Sequence, residues 1–212
     1  MKFLFSYIIS KIIPSLSSFI NIFSIWALLS NNQKTLIEIL DFKTIDEICY
    51  SFVPLWAKDT DILKFTINKY VASNFPSTEE FDTFILLCTL VNKNNLASKI
   101  AKKYGNNKLS AFLSSTKVDP AKIEKSAYEA QKNHRYSLAS MFFIFKKMNY
   151  QSIKVLQNNN RMLSILVSRL LNDDIWTKMI PNSFYNHYWN NNIDDAIKAI
   201  KQEKLKCDEI SL

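Results

Sequence analysis

The residues of this chain that could do chemistry are two histidines, three cysteines and a few adjacent acidic pairs. Histidine serves as a general base or metal ligand, thiolates act as nucleophiles, and paired carboxylates can share acid–base work. His134 and His187 lie far apart in sequence, with no second ligand at metal spacing and no HExxH pattern. We therefore predict that His134 is a solvated turn residue and that His187 is buried or at an interface.

The cysteines and the acidic pairs also have structural explanations. Cys49, Cys88 and Cys207 are odd in number and widely separated, which matches neither a disulfide framework nor a metal site. We expect reduced thiols, with Cys49 and Cys88 on apolar helix faces. The acidic pairs fall at predicted helix starts, where they complement the helix dipole: Glu79–Glu80, Asp173–Asp174 and Asp194–Asp195. With no GxSxG elbow either, we expect no enzymatic activity, no metal and no cofactor.

Glycine usage decides the fold class. Gly105 is the only glycine among 212 residues, although 48% of the chain is hydrophobic. Hairpin-rich β folds and nucleotide-binding loops both need several glycines, since their turns require backbone angles that other residues avoid. An all-α protein is predicted.

Short amphipathic segments alternate with asparagine runs, prolines and Gly105 along most of the chain. Start signals include Ser77 ahead of Glu80, and Asp119 directly before Pro120. Short helices with short links are typical of stacked helical hairpins, so we predict an irregular α-solenoid over residues 19–203, followed by a tail at 204–212. The predicted helices are near 33–40, 44–52, 60–73, 78–92, 94–104, 107–115, 121–132, 135–148, 149–157, 160–172, 182–190 and 193–203.

The N-terminal segment, residues 1–18, is apolar, and residues 12–33 carry no charge. That uncharged length approaches a membrane span. However, Ser17, Asn21 and Ser24 recur at helical spacing and form a polar stripe, which a helix packed in protein uses and a lipid-facing helix does not need. A packed helix is the preferred interpretation; a membrane anchor or a signal peptide is the alternative.

An aromatic stripe surrounds the polar break "KNHR" at residues 132–135. Ala139 and Ser140 are small enough to let a neighbouring helix approach closely. The larger residues are then predicted to fill the space between helices as core, in preference to forming a ligand box: Tyr128, Tyr136, Leu138, Phe142 and Phe143.

Charge is unevenly distributed along the chain. Residues 93–169 contain 15 Lys/Arg and 3 acids, whereas residues 1–90 contain 7 Lys and 9 acids. Such a segment favours an acidic protein face, RNA or anionic lipid, and its alternative is a merely solvated lysine-rich surface. The partner-binding residues predicted from this asymmetry are Lys102, Lys103, Arg135, Lys146, Lys147, Arg161 and Arg169.

The order of the helical pieces resembles that of a known family. The segment 119–171, beginning "DPAKIEKSAYEAQKNHRYSLASMFF", is similar to a region of the C-terminal solenoid of the DmX-like (rabconnectin) family. "SIWALLSNN", "VPLWAKDTDILKF" and "KLSAFLSS" resemble other pieces of that solenoid in the same order, so the resemblance covers about residues 19–203. The matching motif residues are Ala127, Tyr128, His134, Arg135, Tyr136, Leu138, Ala139, Phe142 and Phe143.

The family includes the large subunit of the RAVE complex, a regulator of the vacuolar-type proton ATPase. The resemblance implies a non-catalytic scaffold that binds ATPase subunits and other RAVE-like subunits, in the cytoplasm and peripheral to vacuolar or endosomal membranes. Family members also carry WD-repeat propellers, which these residues do not contain, so the resemblance concerns the solenoid alone. The alternatives are an RNA- or ribosome-associated basic helical protein and a vesicle-coat-like trafficking solenoid.

Overall fold

The computed structural model describes residues 32–51, 53–115 and 119–179, which form α-helices and no strand. This confirms the all-α prediction for the described part of the chain. The apolar segment 1–18, the predicted helices after residue 180, His187, Cys207 and the tail lie outside the described residues. The helices are α1 (Gln33–Ile39), α2 (Ile45–Tyr50), α3 (Val53–Trp56), α4 (Thr60–Ser73), α5 (Phe81–Leu90), α6 (Asn94–Lys103), α7 (Asn107–Ser114), α8 (Pro120–Lys132), α9 (Tyr136–Phe145), α10 (Asn149–Gln157), α11 (Arg161–Leu170) and α12 (Ile175–Met179).

Six of the described helices begin after a residue whose side chain accepts a hydrogen bond from an amide of the first turn. Asp119 accepts a hydrogen bond from the Ala121 amide at 3.0 Å and Pro120 begins α8, as the sequence predicts. The prediction that prolines lie between helices is wrong at Pro54, which is the second residue of α3. A proline in the first helical turn loses no intrahelical hydrogen bond, because the first amides of a helix have no intrahelical partner.

Five of the links between the described helices share one turn geometry. In each, a residue with positive φ follows the helix, and its amide bonds to the carbonyl three residues earlier while the next amide bonds to the carbonyl five residues earlier. This is the Schellman arrangement, and it satisfies carbonyls that the helix end leaves free. Only one of the five positions is a glycine, so the chain makes its tight turns with non-glycine residues. The positions are Asn92, Gly105, His134, Lys147 and Asn172.

Most helices that follow one another in sequence pack together, and contacts between more distant helices fold the described chain back on itself. Helix α9 packs against α5, and α11 packs against α3 and α4. A stack in which each hairpin touches only its neighbours does not make such distant contacts. Every residue of α11 from Leu163 to Leu170 is buried, so this helix lies inside the described part of the fold.

Polar side chains complete the hydrogen bonding of the short helices α1 and α3. Lys69 donates to the carbonyls of Ile37, Glu38 and Leu40 at the end of α1. Gln33, which is buried, donates to the Trp56 carbonyl at 2.8 Å at the end of α3. Short helices leave most of their carbonyls without intrahelical partners, so such contacts decide whether they form. Among the described helices, none has the length and apolar character needed to cross a membrane.

Candidate functional site

A groove of about 410 Å³ opens between α8, α9 and α10, and we call it the α8–α10 groove. Helix α9 supplies its floor, while α8 and α10 supply its two walls. The groove therefore lies where the sequence places the aromatic stripe and the "KNHR" turn. Its lining residues are Tyr128, Gln131, Tyr136, Phe143, Gln151, Lys154, Val155, Asn158 and Asn159.

Small residues of α9 allow α10 to approach. Ala139 and Ser140 are fully buried, and the Ser140 hydroxyl lies 2.8 Å from the Ser152 hydroxyl of α10. The prediction that these two positions admit a neighbouring helix is confirmed. Tyr136 and Phe143 lie two helical turns apart on α9, so both reach the groove from the same face of the helix.

The prediction that the whole aromatic stripe is core holds for part of it. Leu138, Phe142 and Phe143 are buried, but Tyr128 is 51% exposed. Ala127 and Ala130 occupy the buried face of α8, and this leaves Tyr128 at the edge, where its ring meets the Phe143 ring at 5.4 Å in a T-shaped contact. The core prediction for Tyr128 is therefore wrong, and Tyr128 forms part of the groove wall.

The α10 wall is mainly polar. Gln151, Lys154, Val155 and Asn158 recur at helical spacing and face the groove. Beside them Tyr150 is 55% exposed, with the Lys154 ammonium 5.7 Å from its ring centroid. None of these residues was predicted from the sequence to belong to a site. The signal that could have found them is the polar face of α10, which a fully covered helix would not carry.

The groove region is basic. Residues 128–161 contain six Lys/Arg and one acid, Glu129. Lys154 lines the groove, and Lys132 is exposed one turn beyond Tyr128 on α8. An anionic group entering the groove therefore meets positive charge at both walls.

The seven predicted partner-binding residues are not gathered into one site, and none of them lines the groove. Arg169 is 8% exposed and donates hydrogen bonds to the carbonyls of Pro54 and Ala57 at 2.7 and 2.6 Å. Its guanidinium also lies 5.0 Å from the Trp176 ring. The prediction that Arg169 faces a partner is wrong, because its charge is used to hold α11 against α3.

Two more of the seven form ion pairs within the chain. Arg135 makes a two-pronged contact with Asp82 at 2.8 and 2.7 Å, which joins α9 to α5, and the Asp82 carboxylate raises the pKa of Arg135. Lys146 pairs with Glu124 of α8. Both side chains therefore help to hold the fold, and a partner would have to share their charge with an internal carboxylate.

The remaining four lie at helix ends. Lys147 is exposed in the turn between α9 and α10, and Arg161 is half-buried at the first position of α11. Lys102 and Lys103 are exposed in the last turn of α6. The Lys103 ammonium sits 3.9 Å from the centroid of the Phe75 ring, which is also stacked on Tyr104.

The cysteine and histidine side chains that could take part in catalysis have structural surroundings instead. Burial raises the pKa of the Cys49 thiol to about 12, with a further contribution from Asp46, and burial does the same for Cys88. His134 is exposed in its turn, and its Nδ1 lies 2.8 Å from the Tyr136 hydroxyl. Within the described ranges, no three His, Cys, Asp or Glu side chains come together as metal ligands.

The described residues form an all-helical fold with an open groove that is lined by side-chain amides, aromatic rings and Lys154. Comparison of the chain with models of protein families, with curated proteins and with solved structures finds no match.

Proposed function

We propose that this chain is a non-catalytic scaffold that binds the vacuolar-type proton ATPase and regulates its assembly. The proposal combines the resemblance to the DmX-like family with the positions of the residues that carry it. Ala127, Leu138, Ala139, Phe142 and Phe143 are all buried. They are packing residues of the α8–α9 hairpin, so the shared motif is one that specifies this supersecondary unit.

The architecture that accompanies this function is an irregular α-solenoid. Repeated Schellman turns supply the hairpins of such a stack. The contact of α11 with α3 and α4 makes the described part more closed than a regular array. A closed section is stiffer, and a stiff scaffold loses less conformational freedom when it binds.

The observation that carries the proposal is the basic surface around α8–α10. An assembly factor works by differential binding: it stabilises whichever state of the ATPase offers the better contact surface. Exposed cations at Lys132, Lys147 and Lys154 would meet an acidic face on an ATPase subunit or on another RAVE-like subunit.

Purification of the tagged protein from its own cells, at moderate salt with and without nuclease, tests the proposal. ATPase subunits that co-purify and survive nuclease are the expected result. Ribosomal proteins or RNA that disappear with nuclease would refute the assembly function and favour the RNA-associated alternative. Vesicle-coat subunits in place of ATPase subunits would favour a trafficking solenoid.

The RNA alternative draws on the same cations and makes a distinct prediction. Binding through phosphates weakens steeply with salt, because each neutralised phosphate releases counterions. The Phe75 ring is exposed beside the α6 lysines. It is already stacked on the Tyr104 ring, and the Lys103 ammonium lies over it. A base would have to displace these contacts to stack on Phe75, so this ring is a poor stacking platform for RNA.

A further inference from the structure

We propose that the α8–α10 groove binds an extended, acidic peptide segment of a partner protein, with one apolar side chain of that segment seated between Tyr128 and Val155. This inference rests on the proposed scaffold function, since it assigns the form of the partner at one site.

The polar lining favours a peptide backbone. Four side-chain amides line the groove, and each offers both donors and an acceptor: Gln131, Gln151, Asn158 and Asn159. A helical ligand has used its backbone groups internally and could not bond to them, whereas an extended segment presents a free amide and carbonyl at every residue. The amides therefore fit an extended chain.

The apolar part of the groove is small and specific. Phe143 is 1% exposed, so it closes the floor, while Tyr128 and Val155 stand on the two walls beside it. The exposed Tyr128 ring is held by its edge contact with Phe143, so it presents apolar area with little loss of side-chain freedom on binding. One aliphatic side chain fits between these walls.

The positive charge around the groove predicts acidic residues in the ligand, on either side of its apolar side chain. Lys154 lines one wall and exposed Lys132 lies at the edge of the other, while none of the described lining residues carries a carboxylate. Glu129 is the one acid among residues 128–161, and it does not line the groove. Acidic residues on either side of the apolar anchor would meet these lysines without an opposing charge.

Fluorescence anisotropy on the full chain tests the inference. The probe is a labelled peptide of about nine residues, roughly 30 Å when extended, with a central leucine flanked by Glu and Asp. The comparison probes are the same peptide with Gln and Asn in place of its acids, one with Lys in their place, and oligouridine. The variants are Lys154→Glu and Tyr128→Ala, with Lys99→Glu as the matched control because Lys99 is exposed on α6, outside the groove.

The acidic peptide is expected to bind, and K154E and Y128A should each raise its Kd about tenfold or more, while K99E changes it less than about twofold. The lysine peptide should bind K154E better than the wild type, a gain that an unfolded variant could not produce. Equal binding of the acidic peptide to wild type and K154E would overturn the inference, as would equal binding of the Gln/Asn peptide. Preferential binding of oligouridine, lost in the same variants, would assign the groove to RNA and overturn it too.

The two proposals fail in different ways. If ATPase subunits co-purify equally with wild type and K154E, the groove is not their site and the scaffold function stands. If the peptide behaves as expected but no ATPase subunit co-purifies, the groove stands and the ATPase function is wrong.

Discussion

Arg169 donates a 2.7 Å hydrogen bond to the carbonyl oxygen of Pro54, across 115 residues of sequence. Its second amino group reaches the Ala57 carbonyl at 2.6 Å. The two contacts place a buried guanidinium at the C-terminal end of α3, where a positive charge is favourable to the helix dipole. One side chain thus joins the late helix α11 to the early helices.

Replacing Arg169 with methionine is expected to lower the free energy of unfolding by about 3 kcal/mol, because buried carbonyls would lose their donors. Arg169→Lys keeps the charge but not the two-pronged geometry, so it should cost about half as much. Urea denaturation measures both, with Lys102→Met as the control on the exposed surface. An R169M variant as stable as the control would mean that α11 is held by its apolar contacts alone.

The positive-φ turns predict opposite effects at two positions. Lys147→Gly should stabilise the protein by about 1 kcal/mol, since a lysine with φ of 62° pays a steric cost that glycine avoids. Gly105→Ala should destabilise it by about the same amount through the backbone alone, because an added Cβ there meets nothing within 4 Å. Thermal unfolding of the two variants gives the signs; the same sign for both would contradict the shared turn geometry.

The contact between α5 and α9 predicts a charge-swap rescue. Arg135→Asp should destabilise the fold by about 1–2 kcal/mol, because it faces Asp82 and removes a two-pronged ion pair that is partly open to solvent. The double variant Asp82→Arg with Arg135→Asp should recover part of this loss. A double-mutant cycle from chemical denaturation measures the coupling, and a coupling near zero would show that the pair adds nothing to stability.

The buried thiols predict a loss of stability at high pH. Each folded-state pKa is raised from 9.0 to about 12, so the unfolded state releases its protons first as pH rises. The contribution of the two protonated thiols to the free energy of unfolding is complete below pH 9 and is lost between pH 9 and 12. The free energy of unfolding then falls by up to about 1.4 kcal/mol per pH unit for each thiol. Denaturation at several pH values, compared with a Cys49→Ala/Cys88→Ala variant, should show a steeper decline for the wild type. Equal slopes would contradict the assignment to thiols.

Local features of the described chain were largely predictable from sequence. Helix existence followed from apolar periodicity, and the α8 start followed from Asp119 and Pro120, because both depend on residues close in sequence. The burial of Cys49 and Cys88 was predicted for the same reason, since each lies on the apolar face of its own helix. The close approach of a helix at Ala139 and Ser140 was predicted from their small side chains.

The partner-binding residues were harder to predict because charge in a sequence carries no information on what lies opposite it. Arg169 and Lys154 are both cations on helices, yet one is buried against carbonyls and the other lines a groove. Tyr128 likewise shares a stripe with Phe143 but stays half exposed, since none of the described helices covers that edge of α8.

The sequence by itself determined the all-α class, most helix bounds and the basic character of the later half, because propensity, capping and charge act over a few neighbouring residues. Only the tertiary structure decided that α11 packs on α3, that Arg135 and Lys146 are paired internally, and that α8 and α10 leave a groove over Phe143. Those outcomes depend on contacts between distant segments, whose free energy comes from burial and pairing that no local pattern records.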